Sequence, residues 1–277
     1  MTIWVHGPSA WDTVVEIEKY PMPGEFIRAI KKSERPGGSG LNVAMALATT
    51  EEEIGFITYL GMDNYGEQVR SLITKSGINQ VYVKDSIAPT LHALILKDGS
   101  GERTIIALEP TEMGELGLSD IRFQRGDIFL FTIWRDEYKP LLTELNSSGV
   151  ICVVGAKALE DSEVEAEHVV GSIRDFVNID PDSCKNRFRK IVITDGANGA
   201  KLYADGEVIH QNSLAKKVLD ATGAGDSFLA GYAYAVAKGM SDSQRLHLAS
   251  AWSAGALASD SSLPPSWTEI KGRLEIK

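Results

Sequence analysis

The chain has 277 residues, 43% of them hydrophobic and 24% charged, with a formal net charge of −10 and two cysteines. That apolar share supports a sizeable core and excludes a disordered chain, a collagen-like fibre and a disulfide-stapled mini-protein, and at about 150 residues per domain the length allows one large domain or one with a small accessory. The acidic balance, 38 Asp and Glu against 28 Lys and Arg, lacks the basic footprint of a nucleic-acid binder but leaves open a phosphate-bearing small molecule held by backbone amides.

In chain order, residues 2–6 (TIWVH), 54–60 (IGFITYL), 127–133 (DIFLFTI), 150–154 (VICVV) and 190–194 (KIVIT) read as strands buried on both faces. Between them, Leu41 to Ala48, Gly66 to Ser76 and Lys139 to Ser147 carry apolar residues at helical spacing. The alternation predicts a doubly wound α/β sheet. Val14 to Lys32 and His92 to Leu108 instead alternate apolar with polar residues, as half-exposed antiparallel strands do, with a hairpin signal at Asp98-Gly99-Ser100-Gly101. They predict a small sheet projecting from the main one, either a lid over a site or an edge extension or dimer surface. Ser227 to Lys238 reads as an apolar helix ending at Gly239, and Ser241 with Gln244 forms a capping-box pattern opening a second helix to about Ser259.

The opening residues, Met1 to Gly7, lack the pattern of a leader, and no run approaches the ~18 apolar residues of a membrane helix. A cytoplasmic protein with no membrane partner is expected. Cys152 and Cys184 have no Cys or His at metal-ligand spacing and read as buried thiols.

Three Gly-rich turns hold the candidate chemistry. Gly37-Gly38-Ser39-Gly40 precedes the Leu41 helix; Thr194-Asp195-Gly196-Ala197-Asn198-Gly199 follows KIVIT; and Thr222-Gly223-Ala224-Gly225-Asp226 follows a short apolar strand, Val218-Leu219, and opens the Ser227 helix. Such turns bring unpaired amides and the positive helix end to one point, where they can hold phosphate or a developing oxyanion. Neither glycine pair completes the dinucleotide fingerprint, which would need glycine at Val43 or Phe228; no P-loop occurs; and Leu41 breaks the hydrolase elbow. Asp226 in a first helical turn can accept a proton from a substrate hydroxyl while nearby amides neutralise a transferring phosphoryl group. The alternative, that it only complements the helix dipole, stands beside this on the residues alone.

At this point the chain resembles the ribokinase-like sugar kinases of the PfkB family. DATGAGDSFLAGYAYA (Asp220 to Ala235) is similar to the family's C-terminal signature and PGGSGLNVAMALA (Pro36 to Ala48) to its N-terminal one. Asp12, MPGE at Met22 to Glu25, IGFITYLGMDNYGEQV at Ile54 to Val69 and GERT at Gly101 to Thr104 follow in family order. The resemblance implies a single ribokinase-like α/β domain over residues 1–277, with lid strands inserted at about 13–34 and 88–110. It implies ATP-dependent phosphorylation of a sugar or sugar-derivative hydroxyl, with Asp226 as general base and the amides of Gly223, Ala224 and Gly225 as anion hole. Asp12, Gly38, Asn42 and, by alignment, Trp134 would meet the acceptor. Thr194, Gly196, Gly199 and Asn178 would meet the nucleotide. Mg2+ would be the metal, Asp220 and Thr222 would face a monovalent-cation site, and a homodimer could form through the lid.

The chain departs from the family pattern in four places. Ser39 replaces the lysine of many ribokinases; Asn178-Ile179-Asp180-Pro181 has proline where the N-x-x-E motif has glutamate, leaving Asp180 or Asp182 as substitutes; Trp134 stands where ribokinases place a glutamate on the sugar; and the loop between Ala258 and Leu263 is shorter. The third suggests an acceptor with a bulkier or apolar part, and the fourth predicts weak or absent K+ activation. A nucleoside kinase of the adenosine type, and a non-catalytic sugar or nucleotide sensor, are the alternative functions.

Overall fold

The computed structural model describes residues 1–99, 103–108, 118, 120–177, 179–259 and 263–275. The chain opens with β1 (Thr2–His6), β2 (Ala10–Glu16), β3 (Lys31–Gly37) and α1 (Ser39–Leu47). It continues through β4 (Glu53–Gly61), α2 (Asn64–Thr74), β5 (Gln80–Ser86), β6 (Leu91–Lys97) and β7 (Arg103–Ala107). Next come β8 (Ile128–Phe131), α3 (Lys139–Ser147), β9 (Ile151–Gly155), β10 (Ala166–Ser172), α4 (Pro181–Cys184) and β11 (Phe188–Thr194). The last elements are β12 (Ala200–Ala204), β13 (Glu207–Gln211), α5 (Ala224–Ala237), α6 (Asp242–Leu257) and α7 (Trp267–Glu275).

Nine strands form the main sheet in the order β13-β12-β11-β10-β9-β8-β1-β4-β5. Its seven strands from β11 to β5 run parallel, and β12 and β13 add an antiparallel edge. Strand periodicity divides the core in two. Ile3 and Val5 of β1 and Ile128 and Leu130 of β8 face a layer containing α1, α5 and α6, whereas Trp4, Phe129 and Phe131 face the layer containing α3. Both faces are covered, which is why these strands read as unbroken apolar runs.

All five expected core strands are present. β10 escaped the sequence reading because Glu167 and His168 interrupt its apolar run. His168 is nevertheless buried, its Nδ1 2.9 Å from the Tyr232 hydroxyl, and burial lowers its pKa to about 3, so the neutral ring sits in the core. No strand forms at Val218-Leu219, where both side chains are exposed. The Ser241–Gln244 capping box closes as expected, with Gln244 Oε1 accepting from the Ser241 amide at 3.0 Å.

The second sheet has the order β3-β2-β6-β7. Its first two strands lie at 10–16 and 31–37, flanking rather than filling the alternating segment; residues 17–30, which contain Pro21, Pro23 and Gly24, form no strand. β6 and β7 lie inside the second expected insertion, although hairpin residues 100–102 are outside the described set. The two hairpins are antiparallel within themselves, as expected, but β2 meets β6 in parallel. The relative direction of two hairpins leaving the main sheet separately is decided by their points of exit, not by their own pattern. Among the described residues, no helix is long and apolar enough to cross a membrane.

Candidate active site

Local chemistry at the two signature turns builds the site. Gly38 caps α1 with φ +94°, and a Cβ there would lie 2.5 Å from the Pro8 carbonyl oxygen, so only glycine fits. That oxygen also accepts from the Leu41 amide at 3.2 Å, seating the start of α1 against the turn between β1 and β2. Asn42 is thereby brought beside the start of α5. Here Gly223, at φ 75°, caps the helix and Asp226 occupies its first turn. The first-turn amides have no intrahelical acceptor and carry the positive end of the helix dipole.

Asn42 Nδ2 donates to Asp226 Oδ2 at 2.7 Å across 184 residues of sequence. Burial raises the pKa of Asp226, against lowering by the Asn42 bond and by the Arg103 guanidinium. A cleft of about 360 Å³ opens between this pair and the inner face of the small sheet, lined by Asp12, Gly38, Asn42, Gly223, Gly225 and Asp226 among others. Asp12 is 8% exposed, and burial pushes its carboxyl up to about 6; Arg35 and His92 oppose this and Asp226 reinforces it. Asn42 Oδ1 is buried without a hydrogen-bond partner among the described residues. The small sheet contributes an apolar wall of Leu91, Ala93, Ile95 and Ile105, on alternate positions of β6 and β7 as one sheet face requires.

The structure thus brings Asp12, Gly38, Asn42 and Asp226 together with Gly223 and Gly225, with Ala224 between the last two in the same turn. It does not bring Trp134 to this cleft. The indole is 3% exposed and packs on Phe131 and Tyr138, at ring-centroid distances of 5.6 and 6.2 Å. After β8 the chain coils into a short helical turn at Asp136–Tyr138, which folds the side chain back onto the core. The apolar element expected from Trp134 is supplied by β6 and β7 instead. Ser39, at the lysine position of the first signature, holds its hydroxyl 2.9 Å from Thr132 Oγ1 and ties α1 to the end of β8.

The Thr194 turn follows β11, at a carboxyl end of the parallel strands, where open α/β sheets bind ligands. Thr194 donates its hydroxyl to the Gly171 carbonyl at 3.3 Å, and Gly196 leaves open space around its Cβ position. Gly199 has a structural reason of its own: a Cβ there would lie 2.0 Å from the Gln211 carbonyl oxygen on β13. Asp195, Ala197 and Asn198 line a second depression of about 540 Å³ with Lys201 and His210. Asn178 lies outside the described residues. Asp180 caps α4 by accepting from the Asp182 amide at 3.1 Å.

Three basic residues were not singled out by sequence reasoning. Lys97 donates to Asp220 Oδ2 at 3.2 Å, Arg35 approaches the same oxygen at 3.7 Å, and Arg103 donates to Thr222 Oγ1 at 3.1 Å. Burial alone would raise the Asp220 carboxyl; bonds from Thr222 and Lys97 bring it down to about 2. Arg103 also lines the cleft beside Asp226. Its place in GERT was the only sequence signal for any of the three.

The pfkB family carbohydrate kinase profile matches residues 10–119 and 156–268. The chain is 26% identical to a ribokinase of Arabidopsis thaliana, covering 89% of this chain and 73% of that protein. It is 22% identical to a nucleoside kinase of Methanothermobacter thermautotrophicus, covering 84% and 82%. Among solved structures, Arabidopsis thaliana ribokinase complexed with ribose and ATP superposes with a TM-score of 0.77 at 23% identity, covering 99% of this chain and 97% of that one. Phosphofructokinase-2 from Escherichia coli in complex with potassium gives 0.78 at 18% identity, covering 98% and 97%. The fold is the ribokinase fold, as the two signatures implied.

Proposed function

The chain belongs to the pfkB family of carbohydrate kinases, and from that premise we propose that it transfers the γ-phosphoryl group of ATP to a hydroxyl of a small sugar or sugar derivative held between Asp12, Asn42 and the small sheet. The observation that carries this reading is the Asn42–Asp226 hydrogen bond at the amide-rich start of α5. It aims a carboxylate into the cleft beside donors suited to a phosphoryl group. Asp226 takes the proton of the acceptor hydroxyl as the new oxygen–phosphorus bond forms and the bond from phosphorus to the departing ADP oxygen breaks. A positioned base of this kind contributes about 10²–10⁴-fold, and burial raises the Asp226 carboxyl above its ordinary value. The amides of Gly223, Ala224 and Gly225, with the Arg103 guanidinium, face the charge spread over the transferring oxygens.

On the acceptor side, Asp12 and the unpartnered Asn42 Oδ1 accept from or orient substrate hydroxyls. Leu91, Ile95 and Ile105 cover an apolar face of the acceptor, a role that suits the C–H side of a sugar or the base of a nucleoside. The Thr194–Gly196 turn lies on the nucleotide side. Mg2+ on the ATP phosphates would neutralise their charge; among the described residues no group of three or more His, Cys, Asp or Glu could hold a metal ion.

The test is ADP release from MgATP across sugars, deoxy-sugar acids, fructosamines and nucleosides, with Asp226→Asn as the blank. Turnover of one acceptor that vanishes in the variant supports the kinase and names its substrate. Silence across the panel, with ligand binding still visible as a thermal shift, replaces it with the sensor.

A further inference from the structure

Asp220 sits in the loop leading to the anion-hole turn, and the side-chain oxygens of Asp220 and Thr222 are all already engaged by N–H donors. Asp220 Oδ1 accepts from the Thr222 amide at 2.7 Å, Oδ2 takes Lys97 and Arg35, and Thr222 Oγ1 takes Arg103. Lys97 Nζ also reaches the Leu219 carbonyl oxygen at 3.4 Å. Asp220, Arg35 and Lys97 are only 14%, 13% and 24% exposed at their side chains, so these contacts are poorly screened. A monovalent metal ion added to this group would sit beside two or three cations, and the residues do not fit one.

We propose, on the kinase reading above, that the Lys97 ammonium, with Arg35 beside it, is a built-in counter-ion of Asp220 standing where a monovalent metal ion would otherwise organise the loop before α5, so that docking of the small sheet and ordering of the phosphoryl-transfer turn are one event. The three cations come from three strands of the small sheet, β3, β6 and β7, and by strand alternation they share its inner face. Lys97 and Arg103 are direct cross-strand partners. Like charges placed opposite each other disfavour a ladder. Glu16, opposite Lys97 on β2, has its carboxylate 3.9 Å from Lys31, and contact with Asp220 and Thr222 is what relieves the repulsion. Conversely, a buried carboxylate without a partner is strongly unfavourable. Each side is therefore completed only by the other, and Lys97 is a positioning residue for Asp226 and its amides through the loop that precedes them.

The experiment compares wild type with Lys97→Ala at constant ionic strength in chlorides of tetramethylammonium, sodium, potassium and methylammonium, reading both initial rates and Tm. Wild type is expected to vary less than about 2-fold in rate and to keep one Tm across the four salts. Lys97→Ala is expected to lose at least about 10-fold in kcat in tetramethylammonium, to regain several-fold in potassium or methylammonium, and to gain Tm in those two salts alone. A several-fold potassium activation of wild type, or a Lys97→Ala protein whose rate and Tm ignore the cation, overturns the proposal. If wild type turns over no acceptor, the kinase reading has failed and the Tm series alone decides this one. If Lys97→Ala cannot be purified folded, the double variant K97M/D220N, which removes both charges, decides: recovery of a folded protein supports the pairing, and failure to fold overturns it.

Discussion

Replacing Asp12 with asparagine is expected to stabilise the protein while damaging acceptor binding. The Asp12 carboxyl stands at about 6 against an ordinary 3.8 because it is buried near Asp226, with Arg35 offsetting only part of that. At about 1.4 kcal/mol per unit, holding it ionised above pH 7 costs the folded state about 3 kcal/mol. The sign follows from linkage: between about pH 4 and pH 6 the folded protein binds more protons than the unfolded chain, so wild-type stability falls as pH rises through that window. The carboxamide introduced by Asp12→Asn mimics the protonated carboxyl and does not titrate. The Asp12→Asn protein should therefore match wild type below pH 4 and exceed it at pH 8 by about 3 kcal/mol, or roughly 6 °C in Tm at ~2 °C per kcal/mol for a chain of this size. Loss of a hydrogen bond to a charged group, worth about 1.5–3 kcal/mol, should raise the acceptor KM by roughly 10–100-fold. Urea and thermal unfolding at pH 4 and pH 8 read the first effect and acceptor kinetics the second. A variant no more stable than wild type at pH 8 would refute the desolvation argument for Asp12.

Three further outcomes are expected. Asp226→Asn should lower kcat by at least about 10² through loss of the proton acceptor, with acceptor binding by calorimetry retained; a variant with more than a tenth of wild-type kcat would remove Asp226 from the general-base role. Asn42→Leu should move the acid limb of the kcat/KM profile to higher pH, because Asn42 pulls the Asp226 carboxyl down; a limb that stays in place, or moves the other way, speaks against that bond. Gly38→Ala should destabilise by roughly 2 kcal/mol or more, since the alanine meets both the φ of +94° and the Pro8 carbonyl at 2.5 Å, and a denaturant midpoint equal to wild type would contradict it.

Much of this protein is readable from local pattern. The runs at 2–6, 54–60 and 190–194 had to be central strands because no polar residue interrupts one face, and β1, β4 and β11 lie there. The glycines at 37–40 and 223–225 announced helix starts that gather amides, and α1 and α5 begin at Ser39 and Ala224. Those properties belong to residues a few positions apart, where backbone geometry, capping and periodicity act, and they were enough to place Asp226 at the mouth of a helix and to point to the family. The tertiary structure decided which distant groups meet. Asn42 reaches Asp226 across 184 residues, and Lys97 reaches Asp220 across 123; β2 runs parallel to β6; and Trp134 turns into the core while Ile95 and Ile105 face the cleft. No periodicity encodes such pairings, because they arise only when the main sheet closes and fixes where each hairpin and helix leaves it, and burial there raises the carboxyls of Asp12 and Asp226.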